Sequence, residues 1–384
     1  MTWEKVRLGD IADCIQPGPF GSQLHSSDYS ESGTPIIMPK DMINGRISHA
    51  DLLYVSEDHV RRLKRHQVHE GNIMVARKGD VRKCVFITDN EDGWMTGSDC
   101  LKVALNEAVC FPKFIYYQLR SPFIGKWLET ISIGATMPSL NTSLLSGIEL
   151  ALPPYATQKR ISDILSAYDD LVENNQKQIK LLEEAAQRLY KEWFIDLRFP
   201  GHESTPIVNG LPEGWKAIRL AQIAPILTGK KDANYGTDDG EYPFFTCAQE
   251  PIKAPAYSFD CDAVILAGNG DFNVKLYRGR FEAYQRTYVF SPFDSTFLYL
   301  LYYAVRESME GLVQGASGST IKFLTKPMLE DIIVYEPTER IKMLFNAFCE
   351  EKQKKIENLN QQIKLARESR DRLLPKLISG ELEM

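Results

Sequence analysis

Several features that would assign a protein to a membrane, to the secretory pathway or to a metal are missing from this sequence. No apolar run approaches membrane-spanning length, and the first residues lack the basic, apolar and small-residue order of a signal peptide. The seven cysteines are odd in number and scattered, without a CxxC pair or histidines at ligand spacing. We therefore expect a cytoplasmic protein with reduced, mostly buried thiols and no metal site.

The sequence also lacks the motifs of nucleotide-dependent and methyl-transferring enzymes. The stretches GPFGS at 18–22 and GASGST at 315–320 have neither the lysine nor the spacing of a phosphate-binding loop. An amino-methyltransferase places Asp or Asn before Pro-Pro and an aromatic residue, so that its side chain accepts a hydrogen bond from the target amine. The similar stretch LPPY begins with Leu152, which supplies no side-chain acceptor. We predict no catalytic residue in this chain.

Positive charge is not in excess, because 45 Lys and Arg residues face 51 Asp and Glu residues, for a net charge of -6. This balance argues weakly against a nucleic-acid partner, since phosphate neutralisation normally leaves a basic surface. The basic residues nevertheless cluster in four short islands: RRLKRH at 61–66, RKGDVRK at 77–83, GKK at 229–231 and KLYRGRF at 275–281. Three of the islands lie beside glycines that indicate loops. Solvated surface explains each island singly, but their recurrence in both halves favours DNA.

The two halves of the chain resemble each other in order and in detail. The tetrapeptide QIKL occurs at 178–181 and again at 362–365. Other stretches recur around it: WEKVRLGDIA and WKAIRLAQIA, GNIMVARKGD and DAVILAGNGD, KFIYYQLRS and TFLYLLYYAVRES, GATMPSLN and GASGSTIK, IELALPP and IIVYEP. The pattern indicates an internal duplication with the order globular unit, long helix, globular unit, long helix.

Apolar residues spaced by four and three positions predict a helix-helix seam in each long helix. The seam residues are Leu165, Val172, Ile179, Leu182 and Leu189 in the first helix and Ile356, Leu359, Ile363, Leu373 and Leu377 in the second. Asn175, Lys352 and Arg370 interrupt the seams. Each helix of about 35 residues would be on the order of 50 Å long. An antiparallel pair with pseudo-twofold symmetry would hold two similar domains at a fixed separation, whereas a pair that merely dimerises is the alternative.

Three phrases carry a resemblance to a known family: RLYKEWFIDLRFPG at 188–201, GLPEGWKAIRL at 210–220 and RDRLLPKLISGEL at 370–382. In this order, and over the whole chain, they resemble the specificity subunit of Type I restriction-modification systems. The resemblance implies two target recognition domains, each reading one half of a split sequence in double-stranded DNA. It implies that the long helices separate the domains and dock two modification subunits. Methyl transfer from S-adenosylmethionine to adenine then belongs to those subunits, and ATP-driven translocation and cutting belong to restriction subunits, so this chain binds no cofactor.

We accordingly predict an α+β fold with two similar mixed α/β recognition domains and two long coiled-coil helices. The predicted limits are 1–154 for the first recognition domain, 155–197 for the first helix, 198–214 for a linker, 215–337 for the second recognition domain, and 338–384 for the second helix and tail.

Sequence-specific recognition needs polar or basic side chains at base edges, supported by phosphate contacts. The candidates on glycine-containing loops are Ser22, Gln23, Arg77, Lys78, Arg82 and Lys83 in the first domain, and Lys230, Lys231, Asn269, Asn273, Lys275, Arg278 and Arg280 in the second. Because the two sets differ while the flanking strands agree, we expect a target with two unlike halves. Two other classes stay open: a DNA methyltransferase with its own recognition domain, and a coiled-coil adaptor that does not contact DNA.

Overall fold

The computed structural model describes residues 3–131, 139–318 and 322–382, which form two compact units. Unit 1 consists of Met1–Asn174 and Gln362–Met384, and unit 2 consists of Asn175–Gln361. Two long helices, α5 (Tyr155–Tyr190) and α9 (Glu339–Ser379), contribute to both units, and α5 continues as a π-helix over Lys191–Ile195. The repeated loops at 134–141 and 315–322 lie partly outside the described residues.

Unit 1 combines short strands with four short helices. Its strands are β1 (Glu4–Arg7), β2 (Ala12–Pro17), β3 (Tyr29–Ser30), β4 (Thr34–Ile37), β5 (Met42–Ile43), β6 (Arg46–Ile47), β7 (Leu53–Val55), β8 (Ile73–Ala76), β9 (Cys84–Phe86), β10 (Met95–Thr96), β11 (Cys100–Leu105) and β12 (Glu149–Leu152). The short helices are α1 (Glu57–Arg62), α2 (Pro112–Leu119), α3 (Pro122–Ile131) and α4 (Thr142–Ser146). The strands form two four-stranded sheets, ordered β10-β4-β7-β3 and β2-β11-β8-β9, and the pairs β1-β12 and β5-β6.

Unit 2 contains a larger sheet and a longer covering helix. Its strands are β13 (Ile207–Val208), β14 (Leu211–Pro212), β15 (Lys216–Arg219), β16 (Ile226–Thr228), β17 (Tyr242–Phe245), β18 (Ile252–Ala254), β19 (Phe259–Ala267), β20 (Val274–Ala283), β21 (Thr287–Phe290) and β22 (Ile333–Glu336). The helices are α6 (Leu220–Ile223), α7 (Leu298–Gln314) and α8 (Lys326–Glu330). Six strands form one sheet ordered β16-β21-β19-β20-β17-β18, and β13-β14 and β15-β22 form pairs.

Strand pairing confirms the duplication that the sequence predicts. In unit 1, β1 pairs antiparallel with β12, and Glu4 lies opposite Leu152. In unit 2, β15 pairs with β22 in the corresponding register, with Lys216 opposite Glu336. The strand order β2-β11-β8 of unit 1 also recurs in unit 2 as β16-β21-β19. The same local sequence patterns therefore build the same scaffold twice.

The long helices pack against each other in both units, and their direction is antiparallel. In unit 1, Asp169 of α5 pairs with Arg370 of α9, whereas in unit 2 the ring of Tyr190 lies 6.0 Å from that of Phe345. From the first contact to the second, the residue numbers increase along α5 and decrease along α9. The two helices therefore run antiparallel, as predicted. The pseudo-twofold relation between the domains stays a prediction.

The predicted seam residues are all removed from solvent to some degree. Leu165, Ile356, Leu359, Ile363 and Leu377 are buried, and Val172, Ile179, Leu182, Leu189 and Leu373 are half-buried. In unit 1, Ile161 and Leu165 belong to the same apolar cluster as Leu374 and Leu377. Burial of apolar side chains along both helices supplies the main non-directional attraction between them.

Arg370, which interrupts the second seam, takes part in a polar network in unit 1. Its guanidinium pairs with Asp169, and the side chains are only 14% and 12% exposed. The hydroxyl of Tyr117 donates to the same carboxylate at 2.7 Å, and the guanidinium of Arg120 lies 3.8 Å from it. A charge buried among apolar seam layers is favourable only when paired, so the network fixes which residues of α5 and α9 face each other.

We expect Asp169→Asn to destabilise the protein by about 3 kcal/mol, because it leaves the largely buried guanidinium of Arg120 without a counter-charge and leaves Arg370 with only the exposed carboxylate of Asp371. Urea unfolding followed by circular dichroism measures the loss. The control is Glu149→Gln, which removes the partner of Lys5 from an ion pair that is exposed on both sides. That change should stay within about 0.5 kcal/mol of wild type. Equal losses in the two variants would contradict an organising role for the network.

Candidate nucleic-acid interface

Three backbone hydrogen bonds hold the candidate loops of unit 1 together. The amide of Gly18 donates to the carbonyl of Cys100 at 3.0 Å, and the amide of Arg77 donates to that of Asp99 at 2.7 Å. The amide of Leu140 in turn donates to the carbonyl of Arg77 at 2.8 Å. Both main-chain groups of Arg77 are therefore hydrogen-bonded, so the position of its main chain does not depend on which side chain it carries.

Unit 2 repeats these three bonds with other residues. The amide of Gly229 donates to the carbonyl of Thr287 at 3.2 Å, and that of Gly268 donates to Arg286 at 2.8 Å. The amide of Leu324 donates to the carbonyl of Gly268 at 2.8 Å. We call this repeated set of main-chain bonds the loop framework. It places Arg77 of unit 1 and Gly268 of unit 2 at equivalent positions.

Glycine is required at the first position of the loop framework in both units, because two main-chain segments cross there. A Cβ atom on Gly18 would lie 1.9 Å from the carbonyl oxygen of Gly97. A Cβ atom on Gly229 would lie 1.9 Å from the carbonyl oxygen of Ala283. No side chain fits at such distances, so the crossing explains why both candidate loops begin at glycine.

The structure brings three of the six candidates of unit 1 into one neighbourhood. Ser22 is exposed and Gln23 is half-buried, and both lie in the 3-10 turn Gly21–Gln23. The guanidinium of Arg62 donates to the carbonyl of Gln23 at 2.9 Å. The guanidinium of Arg77 lies 5.5 Å from the ring centre of Phe20, the residue before this turn. The candidate surface of unit 1 therefore joins Ser22, Gln23 and Arg77.

The other three candidates of unit 1 are engaged elsewhere in the fold. Lys78 pairs with Asp99 at 3.1 Å. Arg82 pairs with Glu129 at 3.2 Å as well as with Asp80, and Lys83 donates to a main-chain carbonyl at 2.9 Å. Arg82 and Lys83 line a cleft of about 740 Å³ together with Arg120, which follows α2, and with residues of α3. They form a second basic group, and their contact with DNA stays a prediction.

Asn269, Asn273 and Lys275 come together around one loop of unit 2. The amide of Asn273 donates to the carbonyl of Cys247 at 3.0 Å, and the ammonium of Lys275 donates to that of Ala248 at 2.9 Å. The thiol of Cys247 donates to the side-chain oxygen of Asn269 at 2.7 Å. Burial lowers the pKa of Lys275 from its ordinary value. These side chains order the 247–248 loop and present one polar surface.

Lys230 and Lys231 lie beside the same framework. The carbonyl of Lys231 accepts from the amide of Gln285 at 2.9 Å, in the turn that also supports Gly268. The ammonium of Lys231 lies 4.3 Å from the ring centre of Tyr235, and Lys230 is exposed. Within the described ranges, neither lysine has an ion pair, so both charges are available to a ligand.

Arg278 and Arg280 lie within a strand, so the interpretation of KLYRGRF as a loop was wrong: β20 runs through it from Val274 to Ala283. Arg278 donates to both carboxylate oxygens of Glu350, at 3.2 and 2.8 Å, and to the hydroxyl of Tyr299 at 2.9 Å. It thus joins β20 to α9. Arg280 pairs with Asp260 at 3.1 Å. These contacts do not favour Arg278 as a DNA ligand, although its role stays a prediction.

The family model of the Type I restriction modification DNA specificity domain matches this chain in two segments, residues 1–184 and 212–364. The chain belongs to this family. The two segments divide the chain between its two repeats, in agreement with the strand pairing.

Individual relatives agree with this assignment. The chain is 24% identical to the Type I restriction enzyme MjaIX specificity subunit of Methanocaldococcus jannaschii, over 100% of this chain and 94% of that protein. It is 43% identical to the EcoDI specificity subunit of Escherichia coli over 130 residues, which are 33% of this chain and 29% of the relative. The crystal structure of a Type I restriction-modification S subunit from M. genitalium superposes with a TM-score of 0.58, at 15% identity, over 98% of this chain and 96% of that one. This last likeness shows the fold.

Sequence reasoning missed two basic residues that donate to main-chain carbonyls of unit 1, Arg62 and Lys102. Arg62 supports the 3-10 turn, although its island RRLKRH was visible in the sequence. Lys102 is buried on β11 and donates to the carbonyls of Arg65 and Gln67, both at 2.7 Å. Burial lowers the pKa of the neighbouring His66 to about 4. Nothing in the sequence pattern marked Lys102, because its role depends on strand pairing.

The described part of the chain contains no group of three or more His, Cys, Asp or Glu side chains placed to hold a metal ion. It also contains no helix with the length and apolar character needed to cross a membrane.

The contact between Arg278 and Glu350 makes stability depend on pH. Hydrogen bonds from Arg278 lower the pKa of Glu350 to about 2, from an ordinary value of 4.5. A carboxyl group with a lowered pKa stabilises the fold above its ordinary pKa, and this contribution is lost as the pH falls toward the lowered value. Glu350→Gln should therefore cost about 1 kcal/mol at neutral pH, since both groups are partly exposed. The difference from wild type should shrink as the pH falls from about 5 to about 2 in urea titrations.

The matched control places the same substitution in an Arg278→Ala background. There it should cost much less, because the partner that lowers the pKa is gone. A difference between wild type and Glu350→Gln that does not change with pH would show that the ion pair is not what anchors β20 to α9.

Proposed function

We propose that this chain is the non-catalytic subunit that selects the DNA sequence for a Type I restriction-modification complex. Each unit reads one half of a bipartite, asymmetric target in double-stranded DNA. The long helices set the spacer between the halves and dock two modification subunits, which directs adenine methylation and, with restriction subunits, cutting.

The observation that carries this proposal is that both units have the main-chain hydrogen bonds of the loop framework but differ in the side chains at those positions. Unit 1 presents Arg77 and Lys78 where unit 2 presents Gly268 and Asn269. Base edges are distinguished by the donor and acceptor pattern of the side chains that meet them. Two units with one main-chain geometry and different side chains are suited to two unlike half-sites.

The basic residues at the loop framework are compatible with DNA as the ligand. Arg77, Lys230 and Lys231 have no ion pair among the described residues, and all three lie at the loop framework. Phosphate contacts supply much of the affinity of a DNA-binding protein and fix its register on the duplex, and these three cations are placed to make such contacts. A net charge of -6 is compatible with this arrangement because the positive charge is local.

The place of LPPY in the fold supports the assignment of chemistry to partner subunits. Leu152 ends β12, in register with Glu4 of β1, and Tyr155 begins α5. The two prolines thus connect a strand to the long helix. We expect S-adenosylmethionine and ATP to be bound by the modification and restriction subunits.

The long helices expose apolar residues that support docking of two equivalent partners. Leu181 in unit 2 and Leu365 in unit 1 occupy the same position of the repeated QIKL, and they are 64% and 51% exposed. Large apolar side chains exposed on a helix are candidates for a protein interface. Because each repeat carries one such exposed leucine, the chain offers two similar apolar contacts, one for each of two modification subunits.

We expect the purified chain to transfer no methyl group to DNA, and to confer sequence-specific adenine methylation when it is mixed with its modification subunit. Labelled S-adenosylmethionine and sequencing of methylated sites measure both properties. The modification subunit alone is the control and should methylate little. Methyl transfer by the chain alone, in preparations shown to be free of the partner, would contradict the proposal.

A further inference from the structure

Phe20 is a large apolar side chain exposed within the polar candidate surface of unit 1. Its side chain is 52% exposed, next to Ser22 and Gln23. The following residue, Gly21, has a φ of +60° and open space where a Cβ atom would be. Among the described residues, about half of the Phe20 side chain is therefore left uncovered, and an exposed aromatic ring at a binding surface is a candidate contact.

Arg77 lies against this ring and differs from the other basic residues of its loop. Lys78, Arg82 and Lys83 each have a partner within the fold. Arg77 has no ion pair in the described ranges, and its guanidinium lies 5.5 Å from the ring centre of Phe20. The ring restricts the arginine without using its N–H donors, so less conformational entropy is lost when the donors bind a ligand.

The loop framework holds the pair in place. The amide and the carbonyl of Arg77 are both hydrogen-bonded, to Asp99 and Leu140, and the turn that carries Phe20 is supported by Arg62. A guanidinium with five N–H donors and an apolar ring beside it can contact two adjacent base pairs, one through hydrogen bonds and the other through apolar packing. In the major groove, guanine offers O6 and N7 to arginine, and thymine offers its 5-methyl group to apolar side chains.

We propose that Phe20 and Arg77 together read a thymine adjacent to a guanine in the half-site of unit 1. Arg77 donates to O6 and N7 of the guanine, and Phe20 packs on the 5-methyl group of the thymine. This inference rests on the proposed function and names the bases for one of its two sites. Neighbouring base pairs are about 3.4 Å apart, which is compatible with two contacting groups that lie 5.5 Å apart.

Unit 2 offers a different pair at the corresponding loop. There an ammonium, that of Lys231, lies 4.3 Å from the ring of Tyr235, which carries a hydroxyl group. Lysine is a point charge without the planar fork of arginine, and the tyrosine has a polar tip. The thymine contact is therefore expected in one half-site only.

The test uses the full chain in complex with its modification subunit, and duplex DNA in which deoxyuridine replaces single thymines. Deoxyuridine keeps the base pairing and lacks the 5-methyl group. The half-site of unit 1 should contain thymine next to guanine, and deoxyuridine there should weaken binding by wild type about fourfold, the effect of about one buried methyl group. In Phe20→Ala, the thymine and deoxyuridine duplexes should bind equally.

Phe123→Ala is the matched control, because Phe123 is 77% exposed on α3 of the same unit. It should retain the fourfold effect. Wild type on the deoxyuridine duplex tests the contact without any substitution in the protein. A second variant, Arg77→Ala, should relax the preference for guanine and leave the other half-site unchanged.

Three results would overturn the inference. The unit 1 half-site could lack thymine next to guanine, or Phe20→Ala could keep the deoxyuridine effect, or Phe20→Ala could weaken binding equally for every sequence, as a ring inserted between bases would. Each of these leaves sequence-specific binding, and hence the proposed function, intact. A complex that binds DNA without sequence preference would instead remove the proposed function and this inference with it.

Discussion

Main-chain hydrogen bonds hold the recognition loops of both units, and the rest of the interface depends on them. The bonds at Arg77 in unit 1 and at Gly268 in unit 2 use only amide and carbonyl groups. Such bonds are available to almost any residue, so the side chains at these positions can change without loss of the loop geometry. Glycines 18 and 229 are the exception, because the crossing main chains leave no room for a Cβ atom. A fixed main chain with variable side chains is a physical basis for new DNA specificity on one scaffold.

Ion pairs connect each globular part to the long helices. In unit 1, Asp169 of α5 pairs with Arg370 of α9 and accepts from Tyr117 of α2. In unit 2, Glu350 of α9 receives two hydrogen bonds from Arg278 of β20. In unit 1 the charges are largely buried and costly without their partners, so they select one arrangement of α5 and α9. In unit 2 the pair is partly exposed and adds hydrogen bonds between the sheet and α9. The recognition loops are thereby tied to the helices on which partner subunits are proposed to dock.

The sequence was most informative where structure is local. The repeat predicted strands in both halves and the long helices, which begin at Tyr155 and Glu339, because apolar periodicity and helix propensity act over a few residues. The pairing of those strands came only from the structure. The sequence was less informative about individual basic residues. Arg278 and Arg280 lie two positions apart in one strand, yet one contacts α9 and the other contacts Asp260 and Tyr257. Which partner a cation meets depends on segments distant in the chain, and no pattern near the residue encodes it.

The most direct test of the central claim exchanges one recognition domain. Residues 205–337 are replaced by the equivalent domain of a related specificity subunit with a known target, and adenine methylation is mapped in complex with the modification subunit before and after. If each unit reads its own half-site through its own loop side chains, one half of the methylated sequence should change to that of the donor while the other half stays the same. A change in both halves would contradict the account, because it would show that the two units do not read DNA independently.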